Sequence, residues 1–458
     1  MQAPIYKLND TIAALATAQG TGAIAVIRLS GSESFKICDT LSKSKKISDQ
    51  ASHTLHFVRL YDRNNLLDEV VIGVFKAPNS YTGEDVAEIS IHGSVLIQKR
   101  LLQALIKHGA RLAEPGEFTL RAFLNKKMDL VQAEAVADLI NAESEAAAQT
   151  ALNQMRGGFS KEIEKLRMQL LDFASLIELE LDFSEEDVAF ADRSALKQTV
   201  QELLALINKL VLSFKQGNVL KEGFSCVIVG EPNAGKSTLL NALLNEDRAI
   251  VSAIAGTTRD TIEEAIQING VMFRFVDTAG LRKDADSEIE RVGIEKTIQK
   301  IKTAAIVIHL FDANEPQNDK LLHDFSTQNL NDTLILRVAN KADTCEADQL
   351  ESYKKAGTIA ISALRGNIDP LIDALKDLAE TNKISGNQTV VSNIRHVQEL
   401  QHAQTALIRV NDAIENQITT DLLAEDLRDA LQHLGAITGN IDTEEILGNI
   451  FGKFCIGK

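Results

Sequence analysis

Gly230-Glu231-Pro232-Asn233-Ala234-Gly235-Lys236-Ser237 follows directly on the apolar run Ser225-Cys226-Val227-Ile228-Val229. A strand, a Gly-x4-Gly-Lys-Ser loop and a helix opening at Ser237 form an arrangement that turns successive backbone N–H groups around phosphate oxygens. Lys236 places a point charge on the β and γ phosphates, the Ser237 hydroxyl suits Mg²⁺, and the helix dipole adds to the attraction. Asn233, Ala234, Gly235 and Thr238 complete the phosphate-binding set. An ordinary glycine turn is the competing reading, and the preceding strand argues against it.

A second motif names the base. Asn340-Lys341-Ala342-Asp343 follows the strand pattern Thr333-Leu-Ile-Leu-Arg-Val338 and stands 105 residues beyond Gly235. The Asp343 carboxylate accepts from both N1–H and the exocyclic amine of guanine, whereas adenine presents a lone pair at N1. Between the two motifs, Asp277-Thr278-Ala279-Gly280 closes the strand Phe273-Arg-Phe-Val276, and Gly256-Thr257-Thr258-Arg259-Asp260 lies in a polar loop. Asp277 can hold Mg²⁺ through water, the Gly280 N–H can reach the γ-phosphate, and Thr258 can complete the metal shell. Ser362-Ala363-Leu364, after Thr358-Ile-Ala-Ile361, suits backbone contact with the guanine oxygen. Strands and helices alternate through this region as a doubly wound GTPase domain requires. Leu281 stands where Ras-type enzymes carry a water-orienting glutamine, so another group must align the water. Glu290, in the acidic stretch 284–290, is the choice, against a solvated carboxylate at a helix start.

At 458 residues the chain is long enough for about three domains, and 45% hydrophobic residues supply packed cores. Helix formers dominate outside the GTPase segment, so the flanks are read as mostly helical. The four cysteines (Cys38, Cys226, Cys345, Cys455) lack metal or disulfide-framework spacing. The opening residues show no signal pattern and no run is long and apolar enough to span a bilayer, so the expectation is a cytoplasmic protein without membrane contact. A formal charge of −16 argues that any nucleic-acid contact is local or assisted by a partner. The basic cluster Lys43–Lys46 is read as a solvated loop, and the acidic stretch 178–192 as a solvated helix end. The ending Cys455-Ile-Gly-Lys458 is a poor prenylation box. Cys455 is either a packed, inert residue or a thiol presented on a short tail.

Residues 1–120 read as a small α/β domain with strands Ala23–Leu29, Glu69–Phe75 and Val86–Ile91. Over 121–220 the period becomes helical, with Phe159, Ile163, Leu166, Leu170, Phe173 and Ile177 as the seam of one long helix. The GTPase occupies 221–380, and helical periodicity resumes over 381–458 after the polar linker Ser385–Gln388. A doubly wound domain inserted into a discontinuous helical domain is the simplest organisation. Asp421 reads as a helix cap, Asp442-x-x-Glu445 as a capping box, and Gly435 and Gly439 as breaks between helices.

The segments Gly230–Ser237, Ile254-Ala255-Gly256-Thr257-Thr258-Arg259-Asp260, Asp277-Thr-Ala-Gly-Leu-Arg282, Pro115-Gly-Glu-Phe118, Arg121-Ala-Phe-Leu-Asn125 and Phe454-Cys-Ile-Gly-Lys458 resemble the MnmE (TrmE) family of tRNA-modification GTPases. The resemblance covers nearly the whole chain. It implies an N-terminal α/β domain that dimerises and binds a formyl- or methylene-tetrahydrofolate, a discontinuous helical domain, and an inserted P-loop GTPase using GTP, Mg²⁺ and K⁺. It also implies a homodimer that works on tRNA with an FAD-dependent partner, MnmG, as a heterotetramer, installing an aminomethyl-type group on C5 of the wobble uridine. By resemblance Asn233 is the side-chain K⁺ ligand, while Ser252, Ala253, Ile254, Ala255 and Thr257 belong to the loop that closes over the ion. Ser252 stands where the family is expected to carry threonine. Glu290 matches the water-orienting glutamate, and the catalytic set is Glu290, Asp277 and Lys236. Arg28, Glu88 and Lys127, with Lys458 at the tail, are the implied one-carbon donor site; from the residues alone each is an ordinary surface ion pair.

Two other classes compete. A ribosome-assembly GTPase switch binding ribosomal RNA needs an RNA-binding module, and no basic GXXG loop is present. A membrane-remodelling GTPase needs a basic amphipathic helix or anchor, which the sequence also lacks.

Overall fold

The computed structural model describes residues 10–182, 192–245, 250–251, 264–275, 304–315, 333–381, 390–416, 418–440, 444–452 and 454–457. The chain divides into two compact units, one of Met1–Ala137, Gln154–Ala205 and Glu399–Lys458, the other of Asp138–Asn153 and Leu206–Gln398.

In the first unit, alternation of apolar and polar residues builds β1 (Ile12–Leu15), β2 (Ile24–Ser30), β3 (Thr54–Asp62), β4 (Asn65–Phe75), β5 (Val86–His92) and β6 (Arg111–Leu112). They form one sheet in the order β3-β4-β5-β2-β1-β6, antiparallel except where β1 pairs with β6. Helices α1 (Ser34–Leu41) and α2 (Val95–Lys107) cover one face, burying Ile27, Leu29, Ile72, Ile89, Phe35 and Leu101 in a common core. The three expected strands are present, each end within four residues of its expected position. Lys43 lies over the Tyr61 ring at 4.9 Å and donates to Asn64 at 3.2 Å, an exposed arrangement that fits the solvated-loop reading.

Next come α3 (Glu117–Leu124), α4 (Leu130–Ile140), α5 (Glu145–Met155), α6 (Gly158–Asp182) and α7 (Arg193–Glu222). The buried seam of α6 runs Phe159, Ile163, Leu166, Leu170, Ala174, Ile177. Ala174 takes the slot expected for Phe173, which is half-buried; both positions satisfy steps of three and four between Leu170 and Ile177, so the spacing alone does not choose between them.

A buried ionic network ties α3 to β6 and the chain before β1. Arg121, 1% exposed at its side chain, donates from Nη1 to the Asp10 carbonyl at 2.7 Å and to Glu84 at 3.2 Å. Its Nη2 reaches Asp10 Oδ1 at 2.6 Å and Glu117 Oε1 at 3.0 Å. Arg111 joins the same carboxylates, at 2.7 Å from both Asp10 Oδ2 and Glu117 Oε1. Burial pushes Asp10 upward, but hydrogen bonds from Arg111 and Arg121 more than reverse it and hold it below its usual 3.8. Glu117 is likewise pushed up by burial and brought below 4.5 by Arg111, the Glu114 N–H and Arg121.

The second unit carries β7 (Phe224–Val229), α8 (Lys236–Leu244), β8 (Ile250–Val251), β9 (Glu264–Ile268), β10 (Val271–Phe275), β11 (Ile306–Asp312), β12 (Leu334–Asn340), α9 (Ala347–Lys355), β13 (Ile359–Ala360) and α10 (Asp369–Thr381). Their sheet order is β13-β12-β11-β7-β10-β9-β8. The strands from β13 to β10 are parallel, while β9 runs antiparallel to both of its neighbours. Because β7 has β11 on one side and β10 on the other, the winding reverses at its carboxyl end, where open α/β sheets bind ligands. Phe224, Cys226 and Ile228 of β7 pack with Leu239, Leu243, Ile308, Leu310 and Phe273. Burial pushes the Cys226 thiol far up, and Cys38 is raised to about 12 for the same reason.

The remaining helices are α11 (Ile394–Glu415), α12 (Thr420–Thr438) and α13 (Glu444–Phe451). Two expectations are corrected. The N-cap of α12 is Thr419, with Asp421 inside the first turn, where a carboxylate meets the helix dipole without capping it. Gly435 is buried within α12, and only Gly439, at φ 81°, ends it. Asp442 and the linker 385–388 lie outside the described residues. Phe451, the last residue of α13, and Phe454 beyond it pack on Leu120, Phe123 and Leu130. Two glycines admit this tail: a Cβ at Gly116 would stand 2.6 Å from the Phe451 carbonyl, and one at Gly457 would stand 2.1 Å from the Leu15 carbonyl. Among the described residues no helix is long and apolar enough to cross a membrane.

Candidate functional site

The loop 230–235 leaves β7 at the reversal of the sheet, and its backbone dictates its residues. A Cβ at Gly230 would stand 2.0 Å from the Leu310 carbonyl, and one at Gly235, where φ is 93°, would stand 2.3 Å from Asn340 Nδ2. Asn233 is left-handed at φ 66°, a conformation asparagine tolerates, and its side chain is exposed. Lys236 folds back over the loop, its Nζ donating to the carbonyls of Gly230 at 3.0 Å and Glu231 at 2.8 Å. Burial lowers its pKa. Those two carbonyls occupy the donors that phosphate oxygens would take, so the ammonium is already centred in the loop. Ser237 and Thr238 follow in the first turn of α8, beside the freed N–H groups of its start.

Asn340, 3% exposed, links two loops. Its Nδ2 donates to the Ala234 carbonyl at 2.8 Å, and its Oδ1 accepts from the Ala363 N–H at 3.0 Å. The phosphate loop and the 362–364 loop are thus held by one side chain. Lys341 is left-handed at φ 63° and pairs with Asp312 Oδ2 at 2.7 Å. Asp312 is pushed up by burial, yet the Lys341 and Asn314 hydrogen bonds bring it below the usual carboxylate range. Ser362 donates its hydroxyl to Asp343 Oδ1 at 2.6 Å, and Arg365 Nε stands 3.5 Å from Oδ2. The Ser362 bond is the first cause of the lowered Asp343 pKa, which keeps this carboxylate an acceptor, as guanine requires. Leu364 is exposed beside it.

The structure therefore brings together Asn233, Ala234, Gly235, Lys236, Ser237 and Thr238 with Asn340, Lys341, Ala342, Asp343, Ser362, Ala363 and Leu364. Ser252, Ala253, Ile254, Ala255, Gly256, Thr257, Thr258, Asp277, Thr278, Ala279, Gly280 and Glu290 lie outside the described residues. Sequence reasoning missed Asp312 and Arg365. Asp312 was findable as the acid closing the apolar run Ile306–Phe311; Arg365 carries no motif signal.

In the first unit, Arg28 and Glu88 are register partners on β2 and β5 and pair with each other, Nε to Oε1 at 2.9 Å. The Arg28 guanidinium lies 5.2 Å from the Tyr81 ring centroid and 5.7 Å from that of Phe118, a stacked, partly desolvated setting. Lys127 Nζ donates to the Pro78 carbonyl at 3.0 Å, so segment 78–84 contacts both Arg28 and Lys127. Lys458 lies outside the described residues, but Cys455 is exposed, which removes the packed-cysteine alternative.

A phosphate loop at the sheet reversal, with a buried asparagine joining it to a serine-fixed aspartate, defines a guanine-nucleotide-binding P-loop GTPase. The chain is matched over residues 130–455 by the family model described as the MnmE helical domain, and over residues 11–127 by that described as the GTP-binding protein TrmE N-terminus. It is 51% identical over 452 residues to the tRNA modification GTPase MnmE of Cytophaga hutchinsonii, covering 98% of each chain. It is 48% identical over 479 residues to the protein of that name from Christiangramia forsetii, covering 99% of this chain and 100% of that one. The chain belongs to the MnmE family. A crystal structure of Era in complex with MgGDPNP and a segment of 16S ribosomal RNA matches 40% of this chain and 66% of that one, at 25% identity and a TM-score of 0.26, a likeness too loose to add to the assignment.

Proposed function

We propose that the chain hydrolyses GTP in a K⁺-stimulated cycle that drives modification of C5 of the wobble uridine in tRNA, as a cytoplasmic homodimer working with the FAD-dependent protein MnmG. The observation that carries the nucleotide half of this reading is the Asn340 bridge, which assembles the phosphate and base loops before any ligand arrives. Preassembly favours tight guanine-nucleotide binding because little loop ordering remains to be done. The tRNA half rests on the family.

In this reading Asn233, exposed and left-handed next to Ala234, presents its side-chain oxygen to K⁺. Ser252, Ile254 and Thr257 supply the remaining ligands. Such a cation supplies the charge neutralisation at the β and γ phosphates that an arginine supplies in other GTPases. Lys236 exchanges its two loop carbonyls for phosphate oxygens, Ser237 and Thr258 hold Mg²⁺ with Asp277 behind water, and Glu290 aligns the attacking water. Three parts (1–120; 121–220 with 381–458; and 221–380) divide the work. Arg28, Glu88, Lys127 and Lys458 hold a formyl- or methylene-tetrahydrofolate; the stacked Arg28 and the carboxylate of Glu88 offer a cation and an acceptor of the kind folate needs.

GTP turnover measured in K⁺ and in Na⁺ at equal ionic strength, with Asn233→Ala alongside, tests the cycle. Strong K⁺ stimulation, lost in the variant, is expected; ion-independent turnover would remove the cation mechanism. Coupling is tested in cells: Glu290→Ala should lower turnover by roughly 10²–10³ and abolish the modified nucleoside. Normal nucleoside levels would disconnect hydrolysis from the chemistry.

A further inference from the structure

Away from the nucleotide site, two helices of the first unit bring two imidazoles and two carboxylates to one place. On α11 Glu399 and His402 stand three apart, and on α12 Asp429 and His433 stand four apart, so each pair shares a helix face. One donor atom from each of Glu399, His402 and His433 lies within 4.8 Å of the others. His433 Nδ1 is 2.7 Å from Glu399 Oε2, and its Nε2 is 3.3 Å from Asp429 Oδ1. The other Asp429 oxygen is anchored by Arg409 at 2.6 Å, a guanidinium that also holds Asp426 at 2.6 Å. The His402 and His433 ring centroids are 4.8 Å apart.

Contacts to two carboxylates explain His433 but not His402, which is exposed and makes no hydrogen bond to any described residue, yet sits against a second imidazole. We propose that Glu399, His402 and His433 form a binding site for a divalent transition metal ion of the zinc class, with Asp429 orienting His433 from behind. Two nitrogens and one carboxylate oxygen suit zinc, cobalt or nickel better than magnesium or calcium. Tetrahedral ligands at about 2.0–2.1 Å from zinc stand roughly 3.4 Å apart. The 2.7 Å contact must therefore open and the 4.8 Å span close. Both are side-chain rotations, since Glu399 and His433 are half-buried and His402 is exposed. The ion replaces the proton shared between His433 Nδ1 and Glu399, leaving Nε2–H to donate to Asp429, the carboxylate–histidine–metal relation that fixes a ligand ring. Three protein ligands leave a fourth position for water or a further donor, and the ion cross-links α11 to α12.

Tag-free full-length protein, stripped with EDTA and dialysed, is titrated with Zn²⁺ and with Co²⁺, followed by calorimetry and by the visible absorption of bound Co²⁺. One equivalent more than in His402→Gln is expected, with a four-coordinate Co²⁺ spectrum that Glu399→Gln and His402→Gln abolish. Asp429→Asn should weaken affinity roughly 10- to 100-fold without changing stoichiometry. GTP turnover of His402→Gln, whose side chain is exposed, reports that the variant is folded. Equal metal uptake by wild type and His402→Gln, or none by wild type at micromolar ion, would overturn the site and leave an ion-pair cluster between two helices.

Discussion

Asn340 shows what a motif does and does not reveal. Its place in Asn-Lys-x-Asp marks a base-recognition loop, but the string gives no sign that its amide serves Ala234 and Ala363 at once. Asn340→Ala leaves a buried carbonyl and a buried N–H unpaired, at about 1–3 kcal/mol for each group. GTP and GDP affinity, read by fluorescent-nucleotide titration, should fall more than tenfold, and unchanged affinity would mean that the loops hold themselves. Glycine and lysine positions of the phosphate loop were legible because backbone geometry admits few substitutes. Arg365 beside Asp343, and the Arg28–Glu88 pair, were not, because ion pairs between distant residues depend on a register that one sequence does not display.

At the scale of elements, long periodic helices and the parallel strands β7, β10, β12 and β13 were readable, whereas β1, β3, β6 and the buried parallel strand β11 were not. Two residues of β6 carry no period. The alanines of β1 are poor strand formers, and β3 presents Leu55 and Phe57 on its exposed side, inverting the usual pattern. Helix ends follow the same logic: Gly439 was a visible stop, while Gly435 resembled one until packing placed it inside α12. A Cβ at Gly439 would meet the Phe123 ring at 2.7 Å in a left-handed backbone. Gly439→Ala should therefore cost about 1–3 kcal/mol through strain and overpacking, measured by urea unfolding. A change below about 0.5 kcal/mol, the scatter of ordinary surface substitutions, would show that the ring moves freely.

Across the whole molecule, acidity concentrates in a surface of net charge −16, yet acid sensitivity should concentrate in the Asp10–Glu117 network. Both carboxyls have lowered pKa values in the folded state. The stability they contribute is complete above their usual 3.8 and 4.5 and is lost as pH falls through the lowered folded values. Arg121→Met leaves Asp10 and Glu117 to Arg111 alone and Glu84 without this arginine, and should cost about 3–5 kcal/mol at neutral pH. It should also reduce the loss of stability on acidification, because protonation then relieves carboxylate charge that Arg121 no longer balances. Parallel acid curves for variant and wild type would place the acid-sensitive groups elsewhere.

The tail that threads past Gly116 and seats Gly457 against Leu15 has a consequence for biosynthesis. Gly457 and Leu15 are 442 positions apart, so at about 5–20 residues per second the ribosome needs roughly 20–90 s to make the second partner after the first. From the synthesis of α3 until the tail emerges, the nascent first unit presents the apolar bed of Leu120 and Phe123 without Phe451 and Phe454, open to chaperones that guard growing chains.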